Sequence, residues 1–326
     1  MSRIFITGGL GCIGSLMARR LHGEGHNIAI IDACESPRNE WTASRLTGVT
    51  IFRERLERYA EIVDRVQQAD AIIHCAAHTG IPHSITDPID DWVSNVDATR
   101  ALLDALSFYP RPTVIFSSVK PYQTIPMPEA GLNENVALSA DEPYAASKAS
   151  QSLLCQAYSR SYDLPIVVYR FSNLFGPAPS HGPRHNWVTW FSVAAAIGVP
   201  IEVQGSGGQT RDILHFDDIY TACMLGLRHI EKLKGEIFNV GGGRKNRVAV
   251  NFVANLIQEK TGATIVAGPA RAMDDEHVFV DHSKFTAATG WTPAVGSIEG
   301  IKDVLAWAIA NKNELAMLYG APHKDA

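Results

Sequence analysis

Short apolar runs alternate with segments of helical periodicity through the first half of the chain. The apolar runs predict strands at 4–6, 28–31, 49–52, 71–74, 113–116 and 166–169. The segments between them predict helices at 13–23, 61–68, 91–107 and 143–162. Because these strands are apolar along nearly their whole length, they predict a parallel sheet that helices cover on both faces. This order of elements is typical of an α/β fold with a doubly wound parallel sheet.

The pattern changes after residue 171. The stretch 176–183 is rich in Gly and Pro, which predicts a loop. Shorter elements follow, including a strand at 200–203 and a helix at 250–261. We therefore expect a smaller C-terminal lobe that packs over the carboxyl edge of the sheet and binds the substrate. The expected boundaries are 1–172 with about 212–245 for the sheet-bearing domain, and 173–211 with 246–326 for the smaller lobe.

The composition is that of an ordinary globular protein. Of 326 residues, 46% are hydrophobic and 19% are charged, and the formal net charge is −5. With no basic surplus and no apolar run long enough to cross a bilayer, we expect no nucleic-acid partner and no membrane. The five cysteines lack CxxC pairs and histidines at ligand spacing, so no metal site is predicted. Reduced thiols and an N-terminus without a signal-peptide pattern favour a cytoplasmic location.

A glycine-rich turn joins the first predicted strand to the first predicted helix. The sequence TGGLGCIG at 7–14 contains both G-x-G-x-x-G and G-x-x-G-x-x-G. Glycine permits positive φ and lets backbone N–H groups approach a pyrophosphate, and the following helix points its positive end at that anion. In this strand–turn–helix context the turn predicts a Rossmann dinucleotide site, and the alternative is a purely structural βα turn.

Asp32 stands at the end of the second strand, eighteen positions after Gly14. A carboxylate at that place accepts hydrogen bonds from the adenosine ribose and repels a 2′-phosphate. No arginine follows directly, so the sequence favours NAD over NADP as the cofactor.

Three side chains are candidates for proton transfer. Tyr144 and Lys148 form Y-x-x-x-K, and this i, i+4 spacing puts both side chains on one face of the predicted helix. A tyrosine pKa is ordinarily about 10, and we expect the neighbouring ammonium, together with the positive nicotinamide, to favour the phenolate and make it a usable base near neutral pH. Ser118 follows the strand at 113–116 and can donate to a substrate oxygen. Taken singly, each residue also fits a structural role.

Further motifs follow in order along nearly the whole chain. They are HCAA at 74–77, NVDAT at 95–99, SS at 117–118, RFSNLFGP at 170–177, QTRDILHFDD at 209–218 and GWTP at 290–293. Together with the glycine turn and Y-x-x-x-K, they resemble the extended short-chain dehydrogenase/reductase family, in its branch of NAD-dependent nucleotide-sugar epimerases and dehydratases. The resemblance implies an NAD-dependent enzyme with a nucleotide-diphosphate sugar as substrate. It also implies a homodimer that pairs through the helices at 91–107 and 143–162.

The resemblance implies a role for each matching residue. The implied catalytic residues are Ser118, Tyr144 and Lys148. The implied NAD contacts are Gly8, Gly11, Cys12, Ile13, Gly14, Asp32, Leu56, Ala76, Ala77, Asn95, Tyr144 and Lys148. The implied substrate contacts are His78, Lys120, Asn173, Arg211, Arg271 and Asp274. An arginine fork suits phosphate oxygens, although outside this family either arginine would fit a surface ion pair.

Two places depart from the family pattern. The family continues its Ser/Thr strand with V-Y-G, whereas Pro121-Tyr122-Gln123 stands here, so we expect a different loop beside the sugar. The family's acidic residue near the adenine, after the third strand, is replaced by Arg55. This substitution weakens one cofactor contact and makes Asp32 more important.

The residues after Ser118 bear on the reaction. In the family, 4,6-dehydratases carry an acidic pair at these two positions to move the C5 and C6 protons, whereas this chain has Val119 and Lys120. The pattern therefore favours an epimerase, in which a ketone forms and the same hydride returns to the other face. The later segments resemble CDP-paratose (CDP-tyvelose) 2-epimerases, which implies C2 epimerisation of a CDP-hexose. A UDP-sugar 4-epimerase, a dehydratase that uses Lys120, and a non-catalytic NAD-binding protein remain as alternatives, and the intact Ser–Tyr–Lys set argues against the last.

Overall fold

Thirteen strands are present in the described part of the chain. The computed structural model describes residues 1–33, 36–57, 59–122, 126–179, 182, 186–270 and 275–320. The strands are β1 (Arg3–Thr7), β2 (Asn27–Asp32), β3 (Thr50–Arg53), β4 (Ala71–His74), β5 (Thr113–Ser118), β6 (Ile166–Phe171), β7 (Asn173–Phe175), β8 (Ile201–Gln204), β9 (Thr210–His215), β10 (Ile237–Val240), β11 (Arg247–Ala249), β12 (Ile265–Gly268) and β13 (His277–Val278).

The α-helices between them are α1 (Cys12–Gly23), α2 (Pro37–Ala43), α3 (Tyr59–Gln68), α4 (Ile81–Thr86), α5 (Pro88–Trp92), α6 (Ala98–Phe108), α7 (Pro143–Tyr162), α8 (Trp187–Ile197), α9 (Phe216–Arg228), α10 (Ile230–Leu233), α11 (Val250–Thr261), α12 (Ser283–Thr289), α13 (Ser297–Ala310) and α14 (Lys312–Tyr319). A π-helical turn spans Val93–Asp97, and a 3₁₀ turn spans Arg244–Asn246. Within the described ranges, no helix combines the length and the apolarity that crossing a bilayer requires.

The large sheet has the order β10-β6-β5-β4-β1-β2-β3, and all its strands are parallel. The chain reverses its direction of winding between β1 and β4, so the carboxyl ends of these two strands flank a crevice that is the usual ligand position in such sheets. This topology confirms the predicted doubly wound sheet. Two strands are longer than predicted. Strand β5 continues beyond 116 to Ser118, and β6 continues beyond 169 to Phe171.

Both faces of the large sheet are buried, which explains why its strands are apolar almost throughout. On one face, α1 and α9 pack through Leu16, Met17 and Ile219. On the other face, α3, α6 and α7 pack through side chains such as Ile62 and Leu102. Each fully buried aliphatic side chain of this kind contributes about 1.5–3 kcal/mol to the free energy of unfolding.

A smaller group of elements follows β6. Strands β7, β9, β11 and β13 form a second sheet, and β8 pairs with β12. Helices α8, α11 and α13 pack against these strands around a separate core that includes Phe191, Ile213 and Val304. Between these late segments, α9 and β10 return to the large sheet, while β9 belongs to the second sheet. The division into two domains at the predicted boundaries stays a prediction.

The predicted helix at 91–107 is interrupted in the structure. After α5, the π-helical turn makes the Ala98 N–H donate to the Val93 carbonyl, five residues earlier, before α6 begins. A π-turn widens the helix locally and is often found at functional sites. Here it carries Asn95, whose side chain contacts the loop after β4.

Asp212 is a fully buried carboxylate where the second sheet meets the large one. It lies on β9, and its Oδ2 accepts a hydrogen bond from the Gly243 N–H at 3.0 Å. Burial raises its pKa to about 6, because desolvation outweighs the hydrogen bonds that favour the charged form. The folded protein therefore binds this proton more tightly than the unfolded chain, whose Asp pKa is about 3.9.

We predict that Asp212 makes stability fall as pH rises between about 4 and 6. Below the pKa of the unfolded chain, Asp212 is protonated in both states and does not lower the free energy of unfolding. Above the pKa of the folded protein, the buried carboxylate is charged and lowers the free energy of unfolding by its full amount. That cost is about 3 kcal/mol for a shift of this size. In Asp212→Asn, which stays neutral, this part of the pH dependence should disappear from urea-unfolding free energies measured from pH 4 to 7.5.

The matched control is Asp64→Asn, because Asp64 is an exposed carboxylate on α3. It should follow the wild-type pH dependence. A constant difference between wild type and Asp212→Asn across the whole pH range would contradict the assignment.

Candidate active site

The glycine turn between β1 and α1 has the shape that a close approach of backbone requires. Gly8 has φ of +66°, and a Cβ there would lie 2.6 Å from the Ala76 Cα. A Cβ on Gly14 would lie 2.3 Å from the Gly8 carbonyl oxygen. Gly11 stands at the N-cap of α1, and no side chain caps that helix end. The turn therefore fits a pyrophosphate, which the N–H groups of the first helical turn can bind.

Asp32 lies directly beside this turn. Its Oδ2 accepts a hydrogen bond from the Leu10 N–H at 3.0 Å, and its Oδ1 accepts one from the Asn39 side chain at 2.9 Å. The end of β2 is thus tied to the turn, as a ribose-binding carboxylate in this fold requires. The contact between Asp32 and a ribose stays a prediction.

The loop after β4 forms the opposite wall of the crevice. The Ala76 N–H donates to Thr7 Oγ1 at 3.3 Å, so this loop packs on the end of β1. The Asn95 side chain accepts from the His78 N–H at 2.8 Å and donates to the His78 carbonyl at 3.1 Å. Asn95, a predicted NAD contact, therefore holds the loop that carries Ala76, Ala77 and His78. Direct contacts of these residues with NAD or substrate stay predictions.

His74, at the end of β4, is a structural histidine. Its ring lies 2.7 Å from Thr7 Oγ1 and 2.9 Å from Thr99 Oγ1. Burial lowers its pKa to about 3, with the Lys148 charge as a smaller cause. The ring is therefore neutral at physiological pH, and it joins β1, β4 and α6 beneath the crevice.

Three other residues that the sequence predicts as NAD contacts pack in or against the protein core. The Cys12 thiol is buried and hydrogen-bonds the Asn186 side chain, and burial raises its pKa to about 12. Leu56 is buried in the core on the face of α3, and Ile13 packs partly on the core of the other face. The contact of these side chains with NAD stays a prediction.

Ser118, Tyr144 and Lys148 come together at the carboxyl end of β5. The Ser118 and Tyr144 hydroxyl groups share a hydrogen bond. The Lys148 ammonium is 2% exposed and donates to the Phe116 carbonyl at 3.1 Å. The Lys120 N–H donates a hydrogen bond to Ser118 Oγ at 3.1 Å, so the Ser118 oxygen acts as an acceptor while its own O–H can donate to a partner.

The start of α7 fixes the position of Tyr144. Glu142, the N-cap residue, accepts hydrogen bonds from the Tyr144 N–H at 2.9 Å and the Ala145 N–H at 3.2 Å. Pro143 fits the first helical position because its missing N–H would have no partner there. One turn along, the Ser147 hydroxyl donates to Asp91 Oδ2 at 2.6 Å, which joins α7 to α5.

Burial dominates the pKa of Tyr144 among the groups of the chain. Burial raises this pKa to about 12, the bond to Ser118 lowers it, and the charges of Glu142 and Asp91 raise it further. Burial also lowers the pKa of Lys148, whose ammonium donates to the Phe116 carbonyl, to about 8. The expected lowering of the Tyr144 pKa by this ammonium together with the positive nicotinamide stays a prediction.

A cavity of about 230 Å³ opens beside Ser118 and Tyr144. Three predicted substrate contacts, Lys120, Asn173 and Arg211, line it. His78 is not among its described lining residues, whereas the next residue, Thr79, is. Arg271 and Asp274 lie outside the described residues.

Charged groups from distant segments meet in this cavity. Lys120 Nζ forms an ion pair with Asp275 Oδ2 at 2.9 Å, and Arg211 donates to the Asp275 carbonyl at 2.5 Å. Asn173 Oδ1 accepts a hydrogen bond from Trp187 Nε1 at 3.3 Å. The described lining thus carries two cations, Lys120 and Arg211, and two carboxylates, Glu202 and Asp275. An arginine fork beside a hydroxyl pair in a partly enclosed cavity suits a phosphorylated sugar.

The sequence analysis assigned no substrate role to several lining residues, among them Trp187 on α8, Glu202 and Gln204 on β8, and Gln209 before β9. Gln209 begins the motif at 209–218, whereas no motif named above includes the other three. Arg55, noted as a departure from the family, forms ion pairs with Glu57 at 2.5 Å and Asp90 at 3.2 Å.

Comparisons with known proteins agree with this geometry. The chain is similar to a CDP-paratose 2-epimerase of Salmonella typhi, with 25% identity over 94% of this chain and 98% of that protein. It is also similar to a dTDP-glucose 4,6-dehydratase of Shigella flexneri, with 28% identity over 95% and 94% of the two chains. Among solved structures, a UDP-glucose 4-epimerase of Thermotoga maritima with UDP-glucose has a TM-score of 0.84 and 26% identity, covering 94% of this chain and 98% of that one.

The chain also matches the NAD dependent epimerase/dehydratase family over residues 4–241, which is most of its length. The match spans the glycine turn, the Ser–Tyr–Lys cluster and the strands that carry them. The chain is therefore an enzyme of the NAD dependent epimerase/dehydratase family, with a Rossmann-like fold and NAD as its cofactor.

Proposed function

We propose that this enzyme is a nucleotide-sugar epimerase, and that its substrate is a CDP-hexose inverted at C2. The observation that carries the proposal is the identity of the two residues after Ser118. Val119 is 6% exposed and packs in a small apolar cluster, so it cannot transfer a proton. The Lys120 ammonium is held by Asp275. Neither residue supplies the acidic group with which a dehydratase moves the C5 and C6 protons.

The residues of the chain have distinct parts in this reaction. Tyr144 takes the proton of the sugar hydroxyl, and Ser118 donates a hydrogen bond to the same oxygen. The Phe116 carbonyl fixes the Lys148 ammonium, and this contact orients the start of α7 against β5. When bound, NAD would supply the hydride acceptor and donor, and its positive ring would supply charge that favours a buried phenolate. Epimerisation then requires only that the transient ketone present its other face before the hydride returns.

The CDP-hexose and the C2 position are supported by similarity along nearly the full length to the Salmonella CDP-paratose 2-epimerase. A UDP-sugar 4-epimerase is the second candidate, and it is favoured by the fold similarity to the Thermotoga enzyme. A dehydratase that uses Lys120 is the third, and it is favoured by the similarity to the Shigella dehydratase. The two epimerases differ in the carbon that is inverted, whereas the dehydratase introduces solvent hydrogen into the product.

We predict that a CDP-hexose will be inverted at C2 in deuterated water without deuterium entering the carbon that is inverted. Returning the same hydride keeps the original hydrogen on that carbon. The measurement is proton NMR of CDP-, UDP-, GDP- and dTDP-hexoses after incubation with the enzyme and NAD.

Inversion of a UDP-sugar at C4 would contradict the CDP-hexose assignment in favour of the second candidate. Loss of water with deuterium in the product would contradict epimerisation. A protein that binds NAD but alters no member of the panel would contradict both the epimerase reaction and the CDP-hexose substrate.

We predict that Tyr144→Phe will keep NAD affinity and lose turnover by about 10²–10⁴-fold, the usual contribution of a positioned acid–base group. The phenyl ring preserves packing and removes only the hydroxyl. NAD affinity is measured by calorimetry, and turnover on the substrate that the panel identifies.

The matched control is Tyr162→Phe, which removes an exposed hydroxyl at the far end of the same helix. It should retain wild-type turnover. Turnover by Tyr144→Phe at the wild-type rate would contradict the assigned role of the phenol.

We also propose that the enzyme is a homodimer that pairs through the faces of α5, α6 and α7. Trp92, Phe108 and Leu153 lie on these helices and are 43%, 70% and 50% exposed. Large apolar side chains grouped on neighbouring helices are typical of an interface between subunits.

We predict that wild type sediments at twice the chain mass of 35.5 kDa and that Leu153→Glu sediments as a monomer. A carboxylate at the centre of an apolar interface would have to be buried without a partner. The control is Met317→Glu on α14, which is 80% exposed away from these helices and should stay dimeric. A monomeric wild type would contradict the proposal.

A cytoplasmic location completes the proposal. The four cysteines within the described ranges, Cys12, Cys75, Cys155 and Cys223, are all free thiols. Free, largely buried thiols suit a reducing compartment, where the nucleotide sugars and NAD of the proposed reaction would be available.

A further inference from the structure

A group of three metal-ligating side chains lies just outside the catalytic cavity. His78 is in the loop after β4, His83 is on α4 and Asp90 is on α5. One ligand atom of each lies within 4.8 Å of the other two. Within the described ranges, this is the one group of three His, Cys, Asp or Glu residues that meets this distance.

The three side chains lie against one another. The His78 and His83 rings are stacked, with centroids 3.9 Å apart and an angle of 22° between their planes. His83 Nε2 lies 3.2 Å from Asp90 Oδ2. The side chains of His83 and Asp90 are 39% and 33% exposed, so an ion can reach them from solvent and they can rotate toward it.

We propose that His78, His83 and Asp90 form a binding site for a divalent transition-metal cation, with Zn²⁺ as the ion that fits best. Two imidazoles and one carboxylate are a usual ligand set for Zn²⁺, which bonds nitrogen and carboxylate oxygen at about 2.0–2.2 Å and takes a fourth ligand such as water. Tetrahedral ligands at that distance lie about 3.3 Å apart. The ligand atoms already lie within 4.8 Å of one another, so a turn of the stacked imidazole rings would bring their nitrogens to one ion.

The surrounding charges permit a cation. Arg55 donates to Asp90 Oδ1, the oxygen that does not face His83, and also pairs with Glu57. Arg55 thus orients the Asp90 side chain as outer-shell partners of metal ligands do, and Glu57 offsets its charge.

The site connects to the wall of the catalytic cavity. The backbone of His78 is held by Asn95, which also donates to Ser147 on the helix of Tyr144. Ser84, next to His83, accepts a hydrogen bond from the Tyr144 N–H at 3.2 Å. A cation that joins His78 to His83 would therefore brace α4 and the loop after β4 against the start of α7.

The test uses full-length protein freed of affinity tag and treated with chelator. Titration with ZnCl₂ in a calorimeter should give one site per chain, and Co²⁺ should give the visible absorption of a four-coordinate ion. Zn²⁺ should also slow hydrogen exchange of the α4 amides. We expect His83→Gln and Asp90→Asn each to weaken Zn²⁺ binding by more than about 100-fold, beyond the cost of losing an outer-shell contact.

The matched control is His229→Gln, which removes an exposed imidazole at the end of α9 and should bind Zn²⁺ like wild type. Thermal unfolding without metal verifies that the variants are folded. Absence of a single site in wild type, or wild-type affinity in both folded ligand variants, would overturn the proposal. None of these readouts depends on the sugar substrate, so the result is independent of the proposed reaction.

Discussion

The active site depends on one buried contact, the hydrogen bond from the Lys148 ammonium to the Phe116 carbonyl. Burying an ammonium in a residue that is only 2% exposed costs free energy unless an acceptor meets it. Here the acceptor is the carbonyl of Phe116, near the carboxyl end of β5. The contact therefore fixes the register of α7 on the sheet. Tyr144, one helical turn before Lys148, is then held beside Ser118, at the end of the same strand.

A second polar network fixes the loop on the other side of the crevice. Asn95 reaches His78, Asp91 and Ser147 because the π-turn places its side chain between the loop after β4 and α7. Since these groups are buried and bonded to one another, loss of one would leave the others without partners. The nucleotide crevice and the catalytic helix are thus parts of one rigid arrangement.

Burial fixes the position of the Tyr144 phenol and also disfavours its ionised form. The same packing that holds the phenol of Tyr144 raises its pKa to about 12, with Glu142 and Asp91 adding to the effect. The chain itself therefore favours the neutral phenol. In the proposed reaction, the positive ring of the bound cofactor would add to the Lys148 charge in favouring the phenolate.

The sequence by itself determined the doubly wound sheet, the glycine turn and the Ser–Tyr–Lys set, because apolar periodicity, glycine spacing and i, i+4 spacing are local properties. It missed the π-turn at Val93–Asp97, the cavity residues Glu202 and Gln204, the extent to which burial raises the Tyr144 pKa among the chain's own groups, and the grouping of His78 and His83 with Asp90. Only the tertiary structure decided these, since each depends on which distant segments meet and on how far they exclude water. Such contacts leave no periodic signal along the chain.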